Sequence, residues 1–188
     1  GDFRLLPCVS RFVVFVSAQF LRCGWMHRNR FSDGAGGWSW IRASLQKAPR
    51  ETALADIRLR EDVDWRRALL EGLEVYAPLS ERYASTRDLV NRCLDVDTDS
   101  LVRLNLHALT VLAEALDLEF EPLALSGTGV DPGPTGDPQG RMLAVAKALG
   151  ASEIVNLPGG RKLYDAAAFD REGLRLSFLE APGLLDAA

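Results

Sequence analysis

The spacing of apolar residues changes several times along this chain, and each change predicts an element. Phe12–Ser17 is a run of aromatic and β-branched residues, the composition of a buried strand. Phe20–Trp25 and Arg28–Arg30 continue as an extended or turning segment. Gly34, Gly36 and Gly37 mark a tight loop, and Trp38–Ser44 then alternates large apolar with polar residues, as a strand does. Ala55–Leu59 predicts another short strand. From Asp64 the period lengthens. Asp64 is placed to cap a helix over Trp65–Tyr76 with Leu69, Leu70, Leu73 and Tyr76 on one face. Pro78 opens a second helix to about Leu94, with Leu79, Tyr83, Leu89 and Val90 in its stripe. Asp99 or Ser100 caps a third over Leu101–Leu116, with Leu104, Ala108, Val111, Leu112 and Ala115. A strand over Phe120–Leu125 follows, then a helix over Gly140–Leu149 ended by Gly150. Ser152–Asn156 predicts a strand, Pro158-Gly159-Gly160 a turn, Tyr164–Phe169 a short helix and Leu174–Phe178 a last strand.

Strands that alternate with helices predict an α/β fold, a layered and mostly parallel sheet with helices packed on it. The chain has 188 residues, which suits one domain over 1–188, with an irregular start at 1–11 and a Ser/Gly/Thr/Asp/Pro loop at 126–140 expected to be flexible. No repeat interrupts that plan.

Composition narrows the function classes. The net charge of −4 argues against a nucleic-acid duplex as partner, because backbone binding draws its affinity from counterions released by a basic surface. Three cysteines, Cys8, Cys23 and Cys93, and two histidines, His27 and His107, fit no zinc spacing. Reduced thiols and a cytoplasmic location are the simplest expectation. The apolar run Phe12–Phe20 is short of the ~20 residues that cross a bilayer, so no membrane insertion is expected. Asp95, Asp97 and Asp99 lack the glycine and distal glutamate of a calcium loop, and no metal or cofactor is expected.

Two short segments gather the polar chemistry. Trp25-Met26-His27-Arg28-Asn29-Arg30 joins an indole, an imidazole, an amide and two guanidinium groups, a set suited to an anionic ligand. A solvated, salt-bridged connector is the plainer alternative. Asn156 to Asp165 runs from a strand through Gly159-Gly160 to a helix start, where backbone N–H groups attract anions, with Tyr164 and Asp165 beside them. Its plainer alternative is an ordinary turn with Asp165 as a helix cap. Arg141 either closes on a bound anion or is a surface charge. His27 is a candidate base, Cys23 a candidate nucleophile with no base to pair with it, and His107 a structural residue of a helix.

Taken together, the motifs resemble the WbqC-like protein family. The resemblance runs from Phe12 to about Leu179. FVVFVSAQFLRCGWMHRNRF is similar to the family's strand and the aromatic, basic segment after it. WRRALLEGLEVYAPLSERY is similar to its helix with a tryptophan start and a Tyr-x-Pro break. LVRLNLHALTVLAEALDLEFEPLALS resembles the central helix and strand, and RMLAVAKALGASEIVNLPGGRKLYDAAAFDREGLRLSFLEA is the closest stretch. The family's first strand-loop element is largely missing here, and Val16 and Ser17 stand where the family tends to carry adjacent aspartates. The resemblance therefore implies a shortened or diverged member.

It also implies an activity: a transferase that moves an aminoacyl or acyl group onto an amine such as an amino sugar, in O-antigen or secondary-metabolite biosynthesis. On that reading His27, Arg28 and Asn29 carry catalysis. Trp25, Arg30, Arg141, Asn156, Gly159, Gly160, Tyr164 and Asp165 bind substrate. The family usually has Asn where this chain has His27. The partners are then a small-molecule amine or sugar nucleotide and an activated acyl donor, and the two polar segments must share one guest. The alternative is a non-catalytic binding or assembly partner in a biosynthetic cluster. Apolar surface left by the missing element would favour a homo-oligomer.

Overall fold

The computed structural model describes residues 5–125, 130 and 137–179. It has the mixed helix and strand content of an α/β protein, and the chain divides into two compact units, Phe15–Phe120 and the segments on either side of it.

In the flanking unit, strand β1 (Phe12–Val14) pairs in parallel with β4 (Pro122–Ala124). Helix α4 (Pro138–Ala148) precedes β5 (Glu153–Asn156). Helix α5 (Ala166–Arg171) then carries the chain to β6 (Arg175–Phe178), parallel to β5 with Glu153 opposite Arg175 and Asn156 opposite Phe178. A parallel pair needs such a crossover, because no tight turn can join strands that run the same way. Both helices end alike. Gly150 (φ +63°) donates to the Lys147 carbonyl, and Gly173 (φ +70°) to that of Asp170, so left-handed backbone closes each last turn. Phe169, fully buried, anchors the core of this unit with Ala146 and Leu174.

The Phe15–Phe120 unit has an antiparallel hairpin, β2 (Arg28–Ser32) with β3 (Trp38–Arg42), and three helices, α1 (Trp65–Gly72), α2 (Tyr83–Leu94) and α3 (Leu101–Ala115). Phe20, Leu54, Ile57, Leu59, Trp65, Leu101 and Leu104 fill its core. Asp64 caps α1 by accepting from the Arg67 amide (3.1 Å), and Ser100 caps α3 through the Arg103 amide (3.4 Å). Arg66 ties the helices together. Its guanidinium stacks 4.5 Å from the Trp65 ring and donates to the carbonyls of Leu94, Val96 and Thr98, where α2 ends. The Leu94 carbonyl is at the end of α2, past the last intrahelical donor, and the other two lie in the segment that follows, so one planar five-donor group serves three acceptors.

Four expectations change. The first strand stops at Val14, because Val16 and Ala18 turn their carbonyls to the amides of Ala55 and Leu54. Ala55–Leu59 forms a 3-10 turn over Leu54–Asp56 and then single bridges, Leu45 with Leu59 and Arg58 with Ser100; only Ile57 and Leu59 keep the alternating burial of a strand. The second helix begins at Tyr83. Ser80 accepts from the Arg82 amide and from the Tyr83 amide through its carbonyl, a turn that competes with helix, and Leu79 lies 70% exposed outside any stripe. Strand pairing among the described residues is split into three two-stranded ladders, two of them parallel. The predicted loop at 126–140 lies largely outside the described residues; its end is helical from Pro138, with Asp137 accepting from the Gly140 amide.

Replacing Arg66 by Ala should lower unfolding free energy by about 1–2 kcal/mol, the cost of losing charge-assisted hydrogen bonds to three half-buried carbonyls. Arg66→Lys should recover only part, since one ammonium cannot span three carbonyls. A urea midpoint that does not move in R66A would refute this role.

Candidate functional site

The alternation of β2 and β3 gives the hairpin two unlike faces. Phe31 and Ile41 share one, and it packs inward: Gly72 of α1 leaves the space their side chains occupy, and a Cβ there would lie 3.4 Å from Ile41 and 3.7 Å from Phe31. Phe31 meets the Tyr76 ring edge-on at 6.0 Å, and the Tyr76 hydroxyl accepts from the Ser32 amide (2.9 Å). The opposite face carries Arg28, Arg30 and Ser32 against Arg42, Trp40 and Trp38.

On that face the rings and guanidinium groups stack on each other. Arg28 lies 4.3 Å from the Trp40 ring centre. Arg30 lies 5.4 Å from Trp25 and 5.8 Å from both Trp38 and Trp40, and the Trp25 and Trp40 rings are 5.5 Å apart. All three indoles remain open to solvent: Trp25 is 60% exposed, Trp38 66% and Trp40 46%. Arg28 also donates to the carbonyls of Gly24 (3.1 Å) and Cys23 (2.5 Å), which fixes the approach to the hairpin. Among the described residues neither Arg28, Arg30 nor Arg42 forms an ion pair with a carboxylate.

The five-residue turn that joins the strands is built by Asp33. Its carboxylate accepts from the amides of Ala35 and Gly37 (2.8 Å each), and these bonds hold it below the usual carboxylate range. Gly34 (φ +77°) and Gly36 (φ +91°) take left-handed backbone that a side chain would strain.

The three residues expected to carry catalysis are divided between surroundings. Arg28 is on the exposed Trp face, while Asn29 follows the opposite alternation, its side-chain oxygen accepting from the Arg30 amide (2.8 Å). His27 is half-buried. Its ring meets Phe20 edge-on at 5.4 Å, and its Nδ1 is buried without a partner. Burial, and after it the charges of Arg28, Arg42 and Arg22, hold the imidazole below its ordinary range. The Cys23 thiol is exposed, and His107 is held structurally, its Nε2 3.0 Å from the Arg92 carbonyl.

The second segment follows β5. Asn156 turns its side-chain oxygen to the Leu157 amide (2.7 Å), and residues Pro158–Leu163 form a 3-10 helix rather than a simple turn. A Cβ on Gly160 would lie 3.1 Å from the Asn156 side-chain amide and 3.2 Å from the Tyr164 ring, so those side chains would have to move slightly, whereas Gly159 faces open space. The Gly160 amide already donates to the Leu157 carbonyl (3.0 Å). Tyr164 stacks edge-on to Phe169. Asp165 caps α5 through the Ala167 amide (3.1 Å) and pairs with Arg171 at 3.8 Å. Arg141 is buried in the first turns of α4, so it is not a surface charge.

Trp38, Trp40 and Arg42 were missed as site residues. Their signal was present in WSWIR: three large or basic side chains two apart fall on one side of a strand.

Residues 1–184 match the model of the family described as the WbqC-like protein family. A curated relative, "Uncharacterized protein Rv1507c" of Mycobacterium tuberculosis (strain ATCC 25618 / H37Rv), is 24% identical over 187 residues, which cover 99% of this chain and 79% of that protein. No solved structure matches the chain. Among the described residues no helix is long and apolar enough to cross a membrane.

The lowered His27 value has a signed consequence. Protonation is easier in the unfolded chain, so the stability tied to neutral His27 is complete above about pH 6.5 and is lost as pH falls through the lowered folded value. In an NMR titration the His27 ring should therefore change below about pH 6.5, and Arg42→Gln should move its midpoint upward. A midpoint above the ordinary imidazole range would sink this account.

Proposed function

The chain belongs to the WbqC-like protein family, and from that premise we propose that it is a transferase joining an aminoacyl or acyl group to the amine of a small molecule such as an amino sugar, in the biosynthesis of O-antigen or a secondary metabolite. The observation that supports a ligand site most directly is the outer hairpin face, where three exposed indoles adjoin the guanidinium groups of Arg28 and Arg30, Arg42 stands opposite Arg28 in the register, and none of the three arginines pairs with a carboxylate among the described residues. Activated acyl donors and sugar nucleotides are anionic, and such a face attracts and orients them.

The chemistry asks little more. The amine nitrogen attacks the acyl carbon and forms the C–N bond. The leaving group departs with its bonding pair, and a base removes the extra proton from nitrogen. His27 is the candidate base, since it is held neutral near pH 7 and has an unpartnered nitrogen. Arg28 and Asn29 are the candidate partners of the oxygen that becomes negative. In the flanking unit, Arg141, Asn156, Gly159, Gly160 and Tyr164 are proposed as contacts for polar parts of a reactant. A cytoplasmic location would suit such substrates.

One observation favours a second reading, a non-catalytic binding or assembly partner. Arg28 and Asn29 alternate to opposite faces of β2, and the free nitrogen of His27 is buried, so the trio does not converge on one point.

Turnover separates the two. Amino sugars and amino-sugar nucleotides, offered with aminoacyl adenylates and thioesters, should yield an amide detectable by mass spectrometry. Arg30→Ala should then lower kcat/KM by about 10- to 100-fold, the loss of one charge-assisted contact. Arg30 suits this test because no hydrogen bond of its side chain supports the hairpin. A folded sample that binds these molecules but forms no amide with any donor would leave the binding reading.

A further inference from the structure

The outer hairpin face carries information on the class of ligand, and not only its charge. Arg28 and Arg42 stand directly opposite each other in the antiparallel register. Like charges in that position repel, and among the described residues no carboxylate ion-pairs with either to offset it. Arg30, two residues along the same face, adds a third positive charge. One carboxylate would answer only one of the three. A diphosphate, with two or more negative charges and several acceptor oxygens, answers the cluster.

The guanidinium groups sit among the indoles. The guanidinium carbon of Arg28 lies 4.3 Å from the Trp40 ring centre, and that of Arg30 lies 5.4–5.8 Å from the ring centres of Trp25, Trp38 and Trp40. Arg28 already commits its Nε and one Nη to the carbonyls of Gly24 and Cys23, so its remaining N–H groups and the guanidinium of Arg30 are the donors a phosphate would meet there. The indoles differ in availability. Trp40 is covered by Arg28 and adjoins Trp25, whereas Trp38, at the turn end of the ladder, is the most exposed of the three. It offers a surface for a flat heterocycle. The stretch from Arg28 to Ser32 spans roughly 13 Å at strand rise, room for one nucleotide with its phosphates. The net charge of −4 disfavours a longer polyanion.

We propose that the outer face of the β2–β3 hairpin binds the nucleoside diphosphate part of a reactant, with the base stacked on Trp38 and the phosphates held by Arg28, Arg30 and Arg42. The inference rests on the transferase reading only for what the nucleotide carries. Two sources share this chemistry, an amino-sugar nucleotide as acceptor and an adenine-nucleotide carrier such as coenzyme A as donor.

Three of the four tryptophans lie on this face, so indole fluorescence reports on it. Purified full chain would be titrated with UDP, dTDP, ADP, coenzyme A, UMP and inorganic pyrophosphate. Nucleoside diphosphates should quench the signal and bind at least ~10-fold more tightly than pyrophosphate, which lacks the base, and than UMP, which lacks the second phosphate. Preference for UDP or dTDP assigns the acceptor, and preference for coenzyme A or ADP the donor. Trp38→Ala should weaken nucleotide binding ~10-fold and leave pyrophosphate unchanged, Trp38→Phe should restore most of it, and Arg30→Gln should weaken both ligands. An unchanged thermal midpoint in each variant shows that the hairpin is folded. The proposal fails if pyrophosphate binds as well as UDP, if affinity climbs with the length of an oligonucleotide, or if anionic phosphatidylglycerol vesicles bind while nucleotides do not. Amide formation on a free amino sugar with no nucleotide bound would overturn this inference and leave the transferase reading standing. Nucleotide binding without amide formation would do the reverse.

Discussion

The contact of Phe31 and Ile41 with α1 decides which way the hairpin faces. A strand sends successive side chains to opposite sides, so fixing one side fixes the other. Gly72 gives the two apolar side chains room, and the Tyr76 hydroxyl holds the Ser32 amide at the end of the ladder. With Phe31 and Ile41 half-buried against α1, the register sends Arg28, Arg30, Trp38, Trp40 and Arg42 to the other side of the hairpin. A shift of one residue in register would bury guanidinium groups against the helix, at a cost no contact there could offset. The same contact that stabilises the unit thus creates its charged aromatic surface.

The approach to the hairpin is organised by that surface as well. Arg28 belongs to the outer face, yet it also donates back to the carbonyls of Cys23 and Gly24, while Asn105 of α3 donates to the Met26 carbonyl (3.0 Å). These bonds place Trp25 beside Trp40. One arginine therefore has both a structural and a ligand-facing part, whereas Arg30 has only stacking contacts. Since among the described residues no hydrogen bond of the Arg30 side chain is seen, Arg30, rather than Arg28, is the residue whose loss would separate binding from folding.

Much of the architecture was legible because local signals and tertiary burial agree. Asp64, Ser100 and Asp165 cap the helices their side chains suggested, and Gly150 ends one as expected. Trp38–Arg42 alternates as written. The signals failed where local hydrogen bonds compete with a period: Ser80 delays α2, and the carbonyls of Val16 and Ala18 leave the first strand to meet Leu54 and Ala55. Of the candidate site, residues 25–30 stand out in the sequence as a dense polar word, whereas Trp38, Trp40 and Arg42 read there only as a strand, because a strand pattern shows which residues share a side and not which side is buried. Asp165 shows the converse, a polar residue in a suggestive segment whose carboxylate is occupied by a cap and an ion pair.

What most favours a ligand at the hairpin is an unfavourable feature of its surface, not a favourable one. Exposed indoles alone have many explanations, and an isolated arginine is ordinary surface. Opposed arginines in one register position, with a third on the same side, raise the energy of the free protein. The tryptophans reduce that cost through the faces of their rings, but a ring quadrupole supplies no full negative charge. A guest that does so gains more here than on a surface where each cation has its own carboxylate. On the proposed reading, repulsion between the arginines favours an anionic guest, and the surrounding rings limit the shape of the anion that fits.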